Sequence, residues 1–195
     1  MKRIFWALLG VFSVGQVQAG ASAEEIVASR CSTCHGAQGQ SGSPIFPSLA
    51  GQNREYLAKQ LGDFKAGKRT SDIMAPQVAD LSAEDFSALA TFFATKPARV
   101  NRVADEDLLP VGRYIYTKGN AWSGVPACAG CHGEVAHGTA QLPRLAGQNG
   151  RYLLMQLKEF TQRTRTNDNA AMHLVASRLT EMEAKAVSDY LSQLP

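Results

Sequence analysis

Cys31-Ser32-Thr33-Cys34-His35-Gly36 returns 97 positions later as Cys128-Ala129-Gly130-Cys131-His132-Gly133, and these two stretches hold all four cysteines of the 195-residue chain. The sequence around them repeats as well. Pro47-Ser48-Leu49-Ala50-Gly51-Gln52-Asn53 recurs as Pro143-Arg144-Leu145-Ala146-Gly147-Gln148-Asn149, identical at six of seven positions and offset by 96. Tyr56-Leu57 returns as Tyr152-Leu153 at the same offset, and Met74 and Leu81 align with Met172 and Leu179 at 98. Offsets that drift by one or two residues describe one ancestral unit, duplicated, with small changes in its loops. A unit of this length is a domain rather than a solenoid repeat. Lys96-Pro97-Ala98-Arg99, where proline disfavours helix in the residue before it, is the expected linker. The expected division is 20–97 for the first unit and 98–195 for the second.

Both units read as helical. Residues 23–30 form a short helix candidate entering the first cysteine pair, and Leu109 to Lys118 takes the equivalent place in the second, with Pro110 in its first turn and Gly119 as its stop. Tyr56, Leu57, Gln60, Leu61 and Phe64 have helical spacing, as do Tyr152, Leu153, Leu157 and Phe160. Thr180-Glu181-Met182-Glu183 is a capping box ahead of Val187, Tyr190, Leu191 and Leu194. Ser82-Ala83-Glu84-Asp85 plays the same part ahead of Phe86, Leu89, Phe92 and Phe93. No alternating strand pattern stands out, so the expected fold class is all-α.

Composition narrows the function classes. Hydrophobic residues make up 45% and charged residues 19%, the balance of a globular chain rather than a disordered one. Lys2 and Arg3, an apolar run from Ile4 to Val14 and the small residues at Val17-Gln18-Ala19 have the form of a secretory leader, residues 1–19, with Ala21-Ser22-Ala23 as a second cleavage site. The run is short for a bilayer span. Without Lys2 and Arg3, 18 basic residues face 17 acidic ones, a balance that gives nucleic acid no electrostatic footing.

C-x-x-C-H is the attachment sequence for a c-type haem. Two thiols one helical turn apart reach the two vinyl groups of the porphyrin, and the histidine that follows is held beneath the iron. Two such motifs predict two covalent haem c groups, with Cys31, Cys34, Cys128 and Cys131 as attachment points and His35 and His132 as iron ligands. Two other readings use the same cysteines. Redox-active C-x-x-C pairs need neither the histidine nor the Pro-x-Leu-Ala-Gly segment, and the βαβ pattern that usually carries them is absent. A zinc site of all four cysteines would have to join two repeats that look self-contained.

A sixth ligand decides what such an iron does. Met74 is the one methionine of the first unit outside the leader. In the second unit Met155 sits in an apolar helical run where a core role is expected, Met182 sits in the capping segment, and Met172 aligns with Met74 in an expected loop before the last helix. Thioether ligation raises the reduction potential and suits electron transfer, so Met74 and Met172 are the expected axial partners. His137 and His173 compete on chemistry, but the first unit matches neither, and both are expected to be exposed loop residues.

The paired C-x-x-C-H-G motifs, the Pro-x-Leu-Ala-Gly-Gln-Asn segments and the two downstream methionines resemble the cytochrome c4 family over essentially the whole chain after the leader. The resemblance implies two tandem class I cytochrome c domains, each wrapping one haem, with Pro47 and Pro143 carbonyls accepting from the proximal histidines. It implies a periplasmic single-electron carrier, often at the membrane surface, with redox protein partners such as a terminal oxidase or a dehydrogenase and no small-molecule substrate. Met74-Ala75-Pro76 becomes Met172-His173-Leu174, a departure that puts the equality of the two potentials in doubt and leaves the ligation as the resemblance implies it. No paired carboxylates or nucleophile motif accompany these features, so the expectation is an electron-transfer protein rather than an enzyme. A dihaem peroxidase, with one open iron, and a fixed electron-accepting subunit of a larger complex are the rival readings.

Overall fold

Unit one begins at Ser22, whose hydroxyl accepts from the Glu25 amide while the Glu25 carboxylate accepts from the Ser22 amide, a closed capping box that starts α1 (Ala23–Ile26). The computed structural model describes residues 21–101, 103 and 106–195, so the expected leader lies outside the described residues. The helix expected over 23–30 is present with a difference: Val27–Cys31 forms a π-helical turn before α2 (Ser32–His35). Such turns widen the backbone ladder and often mark functional sites. Here the wide turn delivers Cys31.

In unit two the approach helix α6 (Leu109–Lys118) has the expected bounds, with proline in its first turn and Gly119 at φ 73° closing it. It leads to α7 (Ala129–His132). Each unit then adds a long helix, α3 (Arg54–Lys65) or α8 (Gly150–Thr161). A short helix follows, α4 (Met74–Val78) or α9 (Ala171–Ala176). Each closes on a capping-box helix, α5 (Ala83–Ala94) or α10 (Glu181–Ser192), and both expected boxes are formed, the first with Asp85 in its last place. Among the described residues the paired extended segments amount to one isolated bridge, Asn120 with Val125, and the fold is all-α.

Two cores result. Ile26, Val27, Leu57, Leu89 and Phe93 anchor the first, where α5 packs on α3. Ile115, Tyr116, Leu153, Val187 and Leu191 anchor the second, where α10 packs on α6 and α8. The expected linker runs along both units: the Gln40 amide donates to the Pro97 carbonyl at 2.7 Å, and the Asn101 side chain donates to the Gly147 carbonyl at 2.9 Å. Among the described residues no helix is long and apolar enough to cross a membrane.

Candidate functional site

Each Cys-x-x-Cys-His stretch is a single helical turn, which stacks its first and second cysteines on one side and sends the histidine inward. Gly36 at φ 77° and Gly133 at φ 82° end those turns in a conformation that side-chain-bearing residues rarely adopt. The histidines they follow are buried, 6% exposed for His35 and 8% for His132. His35 Nδ1 donates to the Pro47 carbonyl at 2.8 Å and His132 Nδ1 to the Pro143 carbonyl at 3.4 Å. A carbonyl can only accept, so Nδ1 carries the proton and Nε2 is left with its lone pair. Burial lowers both imidazole pKa values and keeps the rings neutral, the form that binds a metal.

The cysteines are all unpaired. Burial raises the pKa of the Cys31 thiol and pushes that of Cys128 up to about 11. Redox-active and zinc-binding cysteines need the opposite shift, toward thiolate. The two pairs also belong to separate cores, and among the described residues no group of three or more Cys, His, Asp or Glu gathers around a common point. A pair of thiols beside one neutral imidazole with a free Nε2 fits a covalently attached haem in each unit.

The methionines sort themselves by exposure. Met74 opens α4 and packs against the core that contains Cys31. Met172 is half-buried, and it lies inside α9 rather than in the expected loop. Met155 does not take the expected core role: it faces outward from α8 at 38% exposed, and Met182 is 56% exposed. Its apolar neighbours Leu153 and Leu157 occupy the inner face, so a run of apolar residues was a poor guide to which one turns in. His173, expected as an exposed loop residue, is half-buried in α9 and its Nδ1 donates to the Phe160 carbonyl at 3.0 Å. His137 is exposed as expected, with Nε2 at 3.0 Å from the carbonyl oxygen of Pro195.

The repeated Gln-Asn pairs serve a purpose the motif reading missed. Gln148 bonds Ser48 twice across the seam between the units, accepting from its amide and donating to its carbonyl, each at 2.8 Å. Gln52 does the same to Arg144, at 2.7 and 2.9 Å. The Asn53 side chain donates to the carbonyls of His137 and Leu142, and the Asn149 side chain to those of Ser43 and Phe46. Each unit thus grips the strap on either side of the other's proline by four bonds, as a pseudo-two-fold axis requires. The sequence held a signal for this: Gln and Asn recur at an offset of 96 although haem attachment has no use for them.

Two family profiles match the chain, one described as cytochrome c oxidase, cbb3-type, subunit III over residues 18–93, the other as cytochrome c over residues 112–195. A cytochrome c4 of Pseudomonas aeruginosa is 38% identical over 190 residues, which span 95% of this chain and 94% of that one. A thiosulfate dehydrogenase electron acceptor of Stutzerimonas stutzeri is 35% identical over 219 residues, 100% of this chain and 97% of its own. The crystal structure of reduced recombinant cytochrome c4 from Pseudomonas stutzeri superposes with a TM-score of 0.84 at 35% identity, covering 91% of this chain and 100% of that chain.

Proposed function

The chain belongs to the cytochrome c4 family, and from that premise we propose that it carries single electrons between redox protein partners in the bacterial periplasm. As a dihaem c-type electron-transfer protein it has two cytochrome c domains, whose Cys31, Cys34 and His35, and Cys128, Cys131 and His132, fit two covalent haem c groups. In this reading the domains divide as 20–97 and 98–195, and the axial pairs are His35 with Met74 and His132 with Met172. Each haem, when bound, supplies an iron that takes up and returns one electron.

The chain's own residues set the conditions for that exchange. The Pro47 and Pro143 carbonyls fix the tautomer and orientation of each imidazole and make Nε2 a stronger donor. Met74 and Met172 would each supply a thioether to the iron, which would favour carrying over catalysis. The observation that carries the reading is the twofold occurrence of one arrangement: a buried neutral histidine, its Nδ1 tied to a prolyl carbonyl, directly after a pair of cysteines whose first thiol is raised in pKa by burial. Donor and acceptor are proposed as a dehydrogenase and a terminal oxidase. The dehydrogenase is favoured by the electron-acceptor role printed for the Stutzerimonas stutzeri relative.

The far-red spectrum of the oxidised holoprotein tests the ligands. A sulfur-to-ferric-iron band accounting for two haems is expected, halved in Met74→Ala and in Met172→Ala and unchanged in Met155→Ala. A high-spin spectrum in the wild type, or a band that keeps its full intensity in Met172→Ala, overturns the proposal. Cell fractionation, with the mature chain found in the periplasmic fraction, tests the location.

A further inference from the structure

The chain enters and leaves its two axial methionines differently. Met74 follows Ile73, whose backbone is ordinary right-handed helix at φ −83°, and Ala75-Pro76 come after it. The Met74 amide donates to the Ser71 hydroxyl at 3.2 Å and the Ala75 amide to the Ser71 carbonyl at 2.9 Å. One residue further on, the proline ring fixes φ. Unit two reaches Met172 through Asn169 at φ 53° and Ala170 at φ 64°, two consecutive left-handed residues. Asparagine tolerates that conformation, but the alanine β-carbon crowds the backbone, and such residues persist only where their surroundings hold them. No proline follows; His173-Leu174 stand in its place.

Two side chains do the holding. Asp168 Oδ1 accepts from the Ala170 amide at 3.2 Å, and Oδ2 accepts from the His173 amide at 3.0 Å. The second of those amides belongs to the planar peptide that joins Met172 to His173, so the carboxylate fixes the backbone on which the thioether is mounted. The His173 ring reaches the other way. Its Nδ1 donates at 3.0 Å to the carbonyl of Phe160, a buried residue in the last turn of α8, where carbonyls lack an amide one turn ahead and take side chains instead. The same carbonyl in unit one, on Phe64, receives the backbone amides of Ala66 and Gly67, and Ala75 at the matching position has no side-chain donor to add.

We infer that Asp168 and His173 are positioning residues for Met172: they clamp the peptide beside the thioether and tie α9 to α8, so the sixth position of the second haem is closed by a latch that the first haem does not have. The inference rests on the reading of Met172 as the axial ligand of unit two. The entry through Asn169 and Ala170 sets the sign of the effect. Strain there pulls against the clamp, so loosening either side chain lets Met172 withdraw and an outside ligand enter, whereas relieving the strain holds Met172 in place. In unit one the stiffening is a covalent ring, and no side-chain bond can release it.

Imidazole is the probe, titrated into ferric holoprotein and followed by loss of the sulfur-to-iron band. A Met74→Ala background leaves the Met172 band alone in view, and a Met172→Ala background leaves the Met74 band. In the first background His173→Ala is expected to lower the imidazole concentration at half-loss about tenfold, the equilibrium effect of one lost hydrogen bond. Asp168→Ala should act in the same direction. His173→Asn, whose side-chain amide stands where Nδ1 stood, should restore the parent value. Ala170→Gly, free of the left-handed penalty, should move half-loss to higher imidazole. That variant also keeps the test open if His173→Ala folds poorly, because relief of strain stabilises the fold. In the second background none of these changes should move the Met74 band. A melting temperature that falls while the imidazole half-loss stays put makes the two bonds merely structural and overturns the inference. A Met74 band that shifts as far as the Met172 band overturns it too. A wild-type band that Met172→Ala fails to halve sinks the axial reading and this inference with it, whereas a halved band with an unmoved half-loss sinks this inference alone.

Discussion

The two units are the same device entered differently. Both end their motif helix on a glycine at φ near 80°, bury the histidine and tie it to a prolyl carbonyl, and both extend the Gln-Asn pair that grips the other unit. Their approach helices differ. Unit one enters through a single α-turn and a π-helical turn, and unit two through the ten residues of α6, laid so closely on α10 that a Cβ on Gly112 would come within 2.1 Å of the Ala186 carbonyl oxygen. The histidine bonds differ too, 2.8 Å in unit one against 3.4 Å in unit two, so the His35 ring is the more tightly held of the pair. Duplication kept the histidine, its prolyl carbonyl and the Gln-Asn grip, and let the supporting helix drift.

Removing the attachment points is the bluntest way to ask whether the units are independent. Cys31→Ala with Cys34→Ala, and separately Cys128→Ala with Cys131→Ala, should each leave one haem per chain instead of two, read by pyridine haemochrome and intact mass. A chain that loses both haems from either double variant would show that one unit folds only on the other's haem, and the comparison would give way to a hierarchy.

Packing gives the next contrast. Gly112→Ala forces a methyl into backbone and should destabilise unit two by about 3 kcal/mol, the upper range for overpacking. Gly62→Ala in α3, where a Cβ meets nothing within 4 Å, should instead stabilise unit one by up to about 1 kcal/mol through helix propensity. Chemical denaturation followed by far-ultraviolet circular dichroism reads both. Equal effects would mean that α6 moves to make room and that the close crossing is not a constraint.

The seam is symmetric in its bonds and asymmetric in its burial. Gln148 and Ser48 are both buried, whereas Arg144, the partner of Gln52, is half-buried. Gln148→Ala strands two buried backbone groups and should cost about 2 kcal/mol. Gln52→Ala leaves groups that water can reach in part, and about 1 kcal/mol is expected. Denaturation midpoints that rank the other way would place the mechanical centre of the seam on the Arg144 side.

Much of this was readable in the sequence because the repeat doubles every signal. The bounds of α6 and both capping boxes follow from local chemistry that one residue or a short run specifies, such as Pro110, Gly119, Ser82 and Thr180, and the part played by the Pro47 and Pro143 carbonyls follows from the family resemblance. What stayed hidden depends on partners distant in the chain. Gln60 sits in an apolar pattern and reads as a gap in a hydrophobic face, yet it is a buried acceptor for two arginines from two units. Met155 reads as core because its neighbours are apolar, and only the rotation of α8 sends it outward. The π-helical turn over Val27–Cys31 has no sequence signature of its own.

The smallest expected effect bears on the drift of the supporting helix directly. Arg30, at the end of unit one's approach helix, forks onto Asp80, with Nη1 2.5 Å from Oδ1 and Nη2 2.8 Å from Oδ2. In unit two the aligned positions hold Ala127 and Arg178, and Arg178 donates to the Gly124 carbonyl at 2.8 Å. The bonds from Arg30 hold the Asp80 carboxyl down to about 2, from an ordinary 3.8. A carboxyl whose pKa is lower folded than unfolded adds stability above its unfolded pKa, and that stability drains away as pH falls from about 4 to about 2. Unit two ties the same place with a guanidinium and a carbonyl, neither of which titrates in that window, so it has no matching loss. Asp80→Asn should therefore melt below the wild type at pH 6, and the gap should close as the pH approaches 2. Because both side chains reach solvent, the gap should be small and should shrink in added salt. Melting curves that keep a constant separation from pH 6 to pH 2 would mean that the fork contributes through shape alone, and that in this corner the two units differ in residues but not in electrostatics.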